Sequence, residues 1–151
     1  MRKRSKGWIR KGVNSAWLAE LDKSCFKKAW REESFNKLMK KSWFRAWTWH
    51  AEPNSKALAF LVVEDLPDLF SILRVGVVPE CQRQGIGKEM IEFLIQLAKN
   101  EQVPNILLEV HECNFAAQHL YFASGFRQIH RKKDYYHDPP GNALVLIKAI
   151  S

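Results

Sequence analysis

The apolar residues of the chain follow two different spacings, and these alternate from one end to the other. Short apolar runs predict strands over 6–10, 42–50, 56–64, 69–78, 105–112, 126–130 and 142–150. Apolar positions three and four residues apart predict helices over 14–26, 31–41, 89–99 and 114–126. Strands that alternate with helices predict an α/β (α+β) fold around a mixed sheet.

Local signals mark the ends of these elements. Asn14 or Ser15 is a candidate N-cap for the first helix, and Asn114 for the last. Pro104 ends the third helix and Gly125 stops the fourth. Segment 131–141 is predicted to be a loop between the last two strands. No repeat or linker interrupts the chain, so 1–151 is predicted to be a single domain.

The charge and composition of the chain limit the kinds of partner and compartment that the sequence predicts. The net charge is +8, and basic residues concentrate in Arg2–Lys11, Lys23–Arg45 and Arg127–Lys133. These clusters indicate either a solvated basic surface or attraction to a polyanion, such as a phosphorylated cofactor or nucleic acid. The cysteines Cys25, Cys81 and Cys113 lack metal or disulfide spacing, which favours a reducing cytoplasm. No apolar stretch fits a membrane span or a signal peptide, and we expect a monomer or a weak dimer.

A glycine-bearing turn, Gln82–Lys88, joins the strand over 69–78 to the helix over 89–99. Its glycines, Gly85 and Gly87, let the backbone approach a ligand closely, and a helix N-terminus favours phosphate. A P-loop would need glycine at position 82, and the dinucleotide fingerprint would need a third glycine, so neither motif is present. The turn therefore indicates a phosphate site of another type, or a plain helix start.

Two segments carry a resemblance to a known family. The run V-G-V-V-P-E-C-Q-R-Q-G-I-G-K resembles the acetyl-CoA signature of the GNAT acetyltransferases. Downstream, LLEVHECNFAAQHLYFASGF and RKKDYYHDPPGNALVLIK resemble the ribosomal-protein alanine N-acetyltransferases, the RimI-type branch of that superfamily. The segment CFKKAWREESF is also similar to that branch, except that Ala29 stands where the family has proline.

The resemblance implies a fold, a cofactor and roles for particular residues. The GNAT fold has a mixed central sheet of six to seven strands, splayed at the acetyl-CoA site and flanked by about four helices. Glu109 would be the general base and Tyr121 the acid that protonates the departing thiolate. A backbone N–H near Val77 would meet the oxyanion. The implied acetyl-CoA-binding residues are Val75, Val77, Gln82, Arg83, Gln84, Gly85, Ile86, Gly87, Lys88, Asn114 and Tyr121.

The acceptor is predicted to be an amine, most simply the N-terminal α-amine of a protein, with a ribosomal protein as a candidate partner. The resemblance implies that Tyr135 and Tyr136 bind the peptide backbone and that Phe26 and Trp30 form the opposite wall. A polyamine, an aminoglycoside-like amine or a lysine side chain is the alternative acceptor. A catalytically inactive, basic, GNAT-shaped module that binds RNA is the alternative from another class of function.

Two catalytic alternatives also stay open at this stage. Strand alternation places His111 on the same face as Glu109, so His111 is a second candidate base. Cys81 lies beside basic residues that favour a thiolate, which leaves an acyl-cysteine route as an alternative to direct transfer.

Overall fold

The computed structural model of the protein describes residues 7–151. Its strands are β1 Trp8–Lys11, β2 Phe44–His50, β3 Ala57–Leu66, β4 Leu69–Val77, β5 Asn105–His111, β6 Arg127–His137 and β7 Pro140–Ala149. Its helices are α1 Ser15–Cys25, α2 Glu32–Met39, α3 Ile86–Glu101 and α4 Phe115–Ala123, with a 3-10 turn at Pro79–Cys81. The basic cluster predicted over Arg2–Lys11 lies in part outside the described residues.

The strands form one seven-stranded sheet in the order β1-β2-β3-β4-β5-β7-β6. Strands β4 and β5 pair in parallel over Phe70–Ile72, whereas β5 with β7 and β6 with β7 pair antiparallel. The predicted fold class, a mixed sheet of six to seven strands with about four helices, is therefore confirmed. No helix within residues 7–151 is long and apolar enough to cross a membrane.

The chain divides into two compact units. Unit 1 comprises Met1–Glu64 and Arg74–Met90, and unit 2 comprises Asp65–Leu73 and Ile91–Ser151. The single domain over 1–151 stays a prediction.

Unit 1 is built around the central strand β3. Residues 59–63 of β3 are buried without alternation, as expected for a strand that is covered on both faces. Helix α1 begins as predicted, because the Asn14 side chain accepts the Trp17 N–H at 2.8 Å. Leu18 and Leu21 of α1 are buried, whereas Trp17 on the same helix is 47% exposed.

One buried ion pair fixes the chain between α1 and α2. Asp22 is fully buried and accepts from Arg74 Nε at 2.7 Å and from an Arg74 terminal nitrogen at 2.9 Å. It also accepts the Trp30 backbone N–H at 2.6 Å, and Arg74 donates to the Lys28 carbonyl at 3.0 Å. A buried carboxylate needs such partners, so this arrangement ties the α1–α2 connection to β4.

Unit 2 has a clean inside–outside pattern along β5, where Ile106, Leu108 and Val110 are buried. Helix α4 is capped as predicted, since Asn114 Oδ1 accepts the Ala117 N–H at 3.2 Å. The left-handed backbone of Gly125, with φ of 94°, follows the end of that helix.

Two predicted boundaries are wrong. Segment 131–141 is mostly strand: β6 continues to His137 and β7 begins at Pro140. Register irregularities at 128–130 and 132–136 break the alternation of inward and outward side chains along β6. The charged residues of β6 are typical of an edge strand, and β6 is the last strand in the sheet order. Helix α3 begins at Ile86 instead of Glu89, because the Gly85 carbonyl accepts the Glu89 N–H at 3.0 Å.

Replacing Asp22 by alanine is expected to lower the free energy of unfolding by ~3–5 kcal/mol, because the part-buried Arg74 guanidinium would lose its counter-charge. Urea denaturation measures the loss. Glu20→Ala, at an exposed position of the same helix, is the matched control and should change stability by less than ~0.5 kcal/mol. Equal effects of the two substitutions would contradict a structural role for the ion pair.

Candidate active site

The predicted phosphate-binding turn has the backbone of a glycine-dependent helix start. Gly85 has φ of 84° and Arg83 has φ of 63°, so two residues of the turn adopt the left-handed conformation just before α3. The Gln82 side chain donates to the Val77 carbonyl at 3.1 Å, which ties the turn to the end of β4. Helical geometry leaves the first amides of α3 without a carbonyl from a preceding turn, and the helix dipole is positive there. The turn can therefore hold an anion.

Glu89, which sequence reasoning missed, anchors this helix start within unit 1. Its carboxylate accepts the Trp49 indole N–H at 2.8 Å and the Gly7 backbone N–H at 3.4 Å. A side chain on Gly7 would collide with the Trp49 ring, so the lack of one permits this approach. An acidic residue in a first helical turn is a common local signal, but its distant partners leave no trace in the sequence.

The end of β4 lies close against its neighbours at Gly76. A Cβ there would lie 2.8 Å from Phe60 Cε1 and 3.1 Å from Cys25 Sγ. Val75 and Val77, the flanking residues predicted to bind the cofactor, are both half-buried. Burial raises the pKa of the Cys25 thiol to about 11, and Asp22 adds to the rise, so Cys25 stays a thiol at neutral pH.

One cation contacts both Phe26 and Trp30, the residues predicted to form a wall of the acceptor site. The Arg74 guanidinium carbon lies 4.2 Å from the centroid of the Phe26 ring and 4.5 Å from that of Trp30. Phe26 also meets Phe60 edge-on, and Trp30 packs at a tilt on Phe35. The structure thus brings Phe26 and Trp30 together, and Asp22 holds the cation that joins them.

A polar cluster on one face of unit 2 contains the predicted base. Val145 of β7 pairs with Glu109 on one side and His130 on the other. In the next row of that face, Ala143 pairs with His111 and Lys132. From this row Lys132 Nζ reaches Glu109 Oε1 at 2.6 Å.

Sequence reasoning missed Lys132. The sequence pattern predicts a loop over 131–141, and a loop gives no sign that the side chain of Lys132 shares a face with Glu109. The hydrogen bond to Glu109 raises the pKa of the Lys132 ammonium, although desolvation opposes the rise. Lys132 therefore carries its charge throughout the neutral pH range.

The hydrogen bonds of His111 argue against its role as the base. Its Nδ1 accepts the Cys113 N–H at 3.0 Å, and its Nε2 donates to the Pro139 carbonyl at 3.0 Å. Both ring nitrogens are thus engaged in hydrogen bonds, which leaves neither of them to take a proton from an acceptor. The ring stacks on Tyr136 with centroids 4.8 Å apart. This geometry favours Glu109 over His111.

The two tyrosines of the predicted acceptor site belong to the same cluster. Tyr135 and Tyr136 meet edge-on with centroids 5.1 Å apart, and the Lys132 Nζ lies 4.9 Å from the Tyr135 ring centroid. Burial raises the pKa of Tyr136, and the negative charge of Glu109 adds to the rise. The Tyr136 hydroxyl is therefore a hydrogen-bond donor at neutral pH.

Asn114 lies immediately before α4, and Tyr121 lies within that helix; both belong to unit 2. The side-chain oxygen of Asn114, Oδ1, accepts the hydrogen bond of the helix cap. The side-chain NH₂ group is therefore the part of Asn114 that can donate to a ligand. Tyr121 is only 5% exposed, and its ring packs edge-on against Phe126. Burial raises the pKa of Tyr121, so its hydroxyl keeps the proton that an acid must supply.

Unit 1 also contains a cavity of about 850 Å³ that is separate from these features. It lies among α1, the β2–β3 turn and the 3-10 turn, where Glu80 and Cys81 line it. None of the residues predicted to bind acetyl-CoA or the acceptor lines it. Cys81, the candidate for an acyl-cysteine, faces this cavity.

The model of the acetyltransferase (GNAT) family matches residues 17–126, which is more than half of the chain. The chain therefore belongs to the acetyltransferase (GNAT) family, as the sequence predicted.

One relative within the family has a named protein substrate. The chain is 32% identical over 97 residues to a ribosomal protein bS18-alanine N-acetyltransferase of Escherichia coli, covering 64% of this chain and 66% of the relative. The match thus spans just under two thirds of that relative's length.

Two solved structures share the fold. The crystal structure of the Escherichia coli ribosomal-protein alanine N-acetyltransferase gives a TM-score of 0.87 at 24% identity, covering 96% of this chain and 94% of that one. Arabidopsis thaliana NAA60 in complex with acetyl-CoA gives 0.82 at 17% identity, covering 95% of this chain and 98% of that one.

The contact between Gly141 and His111 can be tested by a double-mutant cycle. A Cβ at Gly141 would collide with the imidazole, so Gly141→Ala is expected to lower the free energy of unfolding by ~1–3 kcal/mol. In a His111→Ala background the ring is gone, and most of that loss should disappear. Urea denaturation of the four proteins measures the coupling; an unchanged loss in the double variant would show that the ring is not the cause.

Proposed function

We propose that the protein is an N-acetyltransferase that moves the acetyl group of acetyl-CoA directly to the N-terminal α-amine of a protein, with a ribosomal protein as the candidate acceptor. The observation that carries the proposal is the glycine turn before α3, in a chain of the GNAT family. The polar cluster around Glu109 in unit 2 supports the acceptor half of the reaction.

The donor site would use the start of α3. Acetyl-CoA, when bound, supplies an acetyl thioester together with phosphates that need positive partners. The left-handed Gly85 directly precedes α3, whose N-terminal end favours an anion, and the exposed side chains of Arg83 and Lys88 add positive charge there. Gln82, Gln84, Ile86 and Gly87 complete the turn, and Val75 and Val77 supply the backbone of the strand that leads into it.

The proton transfers would use residues of unit 2. An α-ammonium must lose a proton before its nitrogen can attack a carbonyl carbon, and the Glu109 carboxylate accepts that proton directly or through water. Tyr121 keeps its proton at neutral pH, so its hydroxyl can donate one to a leaving thiolate. The NH₂ group of Asn114 would hydrogen-bond the pantetheine arm of the cofactor.

The acceptor assignment follows the named relatives, which are alanine N-acetyltransferases of a ribosomal protein. Tyr135 and Tyr136 would bind the first backbone amides of the peptide. Phe26 and Trp30, which Arg74 holds together, would limit the first side chain to a small one such as alanine. The three free cysteines agree with the proposed cytoplasmic location.

A peptide panel tests the reaction. A peptide that begins with alanine should be acetylated, whereas the same peptide with a blocked α-amine and free lysines should react little, because lysine holds its proton more tightly. Thiol release from acetyl-CoA measures turnover. Glu109→Gln should lower kcat by ~10²–10⁴-fold.

The panel also separates the alternatives. Equal turnover of the blocked peptide would move the assignment to lysine acetylation, and turnover of polyamines or aminoglycosides alone would move it to small amines. RNA binding without turnover of any amine would indicate an inactive binding module.

Two substitutions should divide binding from chemistry. Gly87→Val places a side chain inside the first turn of α3 and should weaken acetyl-CoA binding by about tenfold or more, measured by calorimetry. Tyr121→Phe keeps the ring that packs on Phe126 and removes the proton donor, so kcat should fall far more than cofactor affinity. Unchanged affinity in a folded Gly87→Val protein would remove the cofactor site, and less than about a threefold fall in kcat would leave Tyr121 a packing residue.

A further inference from the structure

A primary amine of the chain itself lies within hydrogen-bond distance of the proposed base. The Lys132 Nζ is 2.6 Å from Glu109 Oε1. A base that takes a proton from an acceptor amine has to lie at about this distance from it, or one water molecule away. The two side chains are 40% and 28% exposed, so the pair is open to solvent. Lys132 therefore meets the geometric requirement for an acceptor at Glu109 without any second molecule.

The backbone of Lys132 is held in the sheet, but its amine can move. Lys132 pairs with Ala143 of β7, and the register of β6 becomes irregular directly after it. A lysine side chain is a flexible four-carbon stem, so its nitrogen can leave the carboxylate and still remain close to it. Attachment to the same chain keeps this amine near Glu109 at a high effective concentration.

The protonation of Lys132 limits how fast it can react. The hydrogen bond to Glu109 raises the pKa of the Lys132 ammonium, and only the neutral amine attacks a carbonyl carbon. The neutral fraction grows about tenfold for each pH unit below that pKa, so a reaction of Lys132 accelerates as the pH rises. The titratable groups around it are Glu109 and His111 on β5 and His130, Tyr135 and Tyr136 on β6, while Ala143 and Val145 of β7 are apolar.

We propose that Lys132 is a site of self-acetylation, at which the enzyme moves the acetyl group of acetyl-CoA to its own Nζ. This inference rests on the proposed acetyl transfer with Glu109 as the base and Tyr121 as the acid. Acetylation turns the Lys132 ammonium into a neutral acetamide, so it also ends the ion pair with Glu109.

The step balances with the residues already assigned. The Lys132 ammonium gives one proton to Glu109, which passes it to solvent, and the neutral nitrogen then forms a bond to the acetyl carbonyl carbon. The C–S bond breaks, and the departing thiolate takes the proton of the Tyr121 hydroxyl. The nitrogen loses a second proton as the amide forms, and that proton restores Tyr121. The products are Nζ-acetyl-Lys132 and the free thiol of CoA.

The test is incubation of the whole protein with acetyl-CoA alone at several values of pH. Tandem mass spectrometry of peptides from a protease that does not cut at lysine locates the acetyl groups. Lys133 is the matched internal control, because this exposed neighbour reports the uncatalysed reaction of acetyl-CoA with a lysine. Lys132 should be labelled at least about tenfold faster than Lys133. At saturating acetyl-CoA its labelled fraction at a given time should not change when the protein is diluted.

Variants connect the labelling to the site. Glu109→Gln and Tyr121→Phe should each slow the labelling of Lys132 towards the rate of Lys133, because each removes one proton-transfer group. Lys132→Arg keeps the positive charge but cannot supply a neutral amine, so the intact protein should lose its fast gain of one acetyl group. Lys133→Arg should retain that gain.

Three results would overturn the inference: labelling of Lys132 no faster than that of Lys133, labelling unchanged in Glu109→Gln and Tyr121→Phe, or a labelled fraction that falls on dilution. In each case turnover of the alanine peptide by the same wild-type protein would leave the proposed function standing. Fast labelling of Lys132 without turnover of that peptide would support self-acetylation and remove the peptide acceptor.

Discussion

The organisation of unit 1 depends on the need to neutralise one buried carboxylate. Asp22 is fully buried in α1, and no helix can satisfy a side-chain carboxylate from its own backbone in mid-length. Its partners come from β4, through Arg74, and from the α1–α2 connection, through the Trp30 N–H. The same guanidinium then stacks on Phe26 and Trp30. One carboxylate thus positions both the predicted acceptor wall and the strand that leads to the glycine turn.

The Glu109–Lys132 ion pair differs from the Asp22–Arg74 ion pair in the number of donors that the carboxylate binds. Asp22 accepts three N–H groups and is closed to solvent, so its function is structural. Glu109 is bound by a single ammonium and remains partly open, which leaves it able to exchange a proton. Two carboxylates that each pair with a cation therefore differ in function. Burial and the number of hydrogen-bond donors decide whether a carboxylate stabilises the fold or can exchange a proton.

The pattern of residues close together in the sequence was sufficient to predict most strands and helices of the fold. The caps at Asn14 and Asn114 and the left-handed Gly85 depend on residues close in sequence, and their chemistry is visible there. The extension of β6 to His137 was missed, because irregular register removes the period on which strand prediction rests.

The candidate site was predictable in its residue types and less so in its contacts. Alternation correctly put Glu109 and His111 on one face, but the Pro139 carbonyl that engages His111 approaches from 28 positions away. Lys132 reaches Glu109 across β7, and Arg74 reaches Asp22 across 52 positions. Such long-range pairs are set by topology, so the sequence contains the partners without showing that they meet.

The position of β6 at the end of the strand order has a consequence for how copies of the protein behave in a crowded solution. A long terminal strand presents backbone groups that could pair with the strand of another molecule, which is a common start of aggregation. On β6 the exposed Arg127, Arg131 and Lys133 give two such strands like charges. Edge-to-edge association would bring these cations together, so the charges of the strand disfavour association of two molecules through this edge.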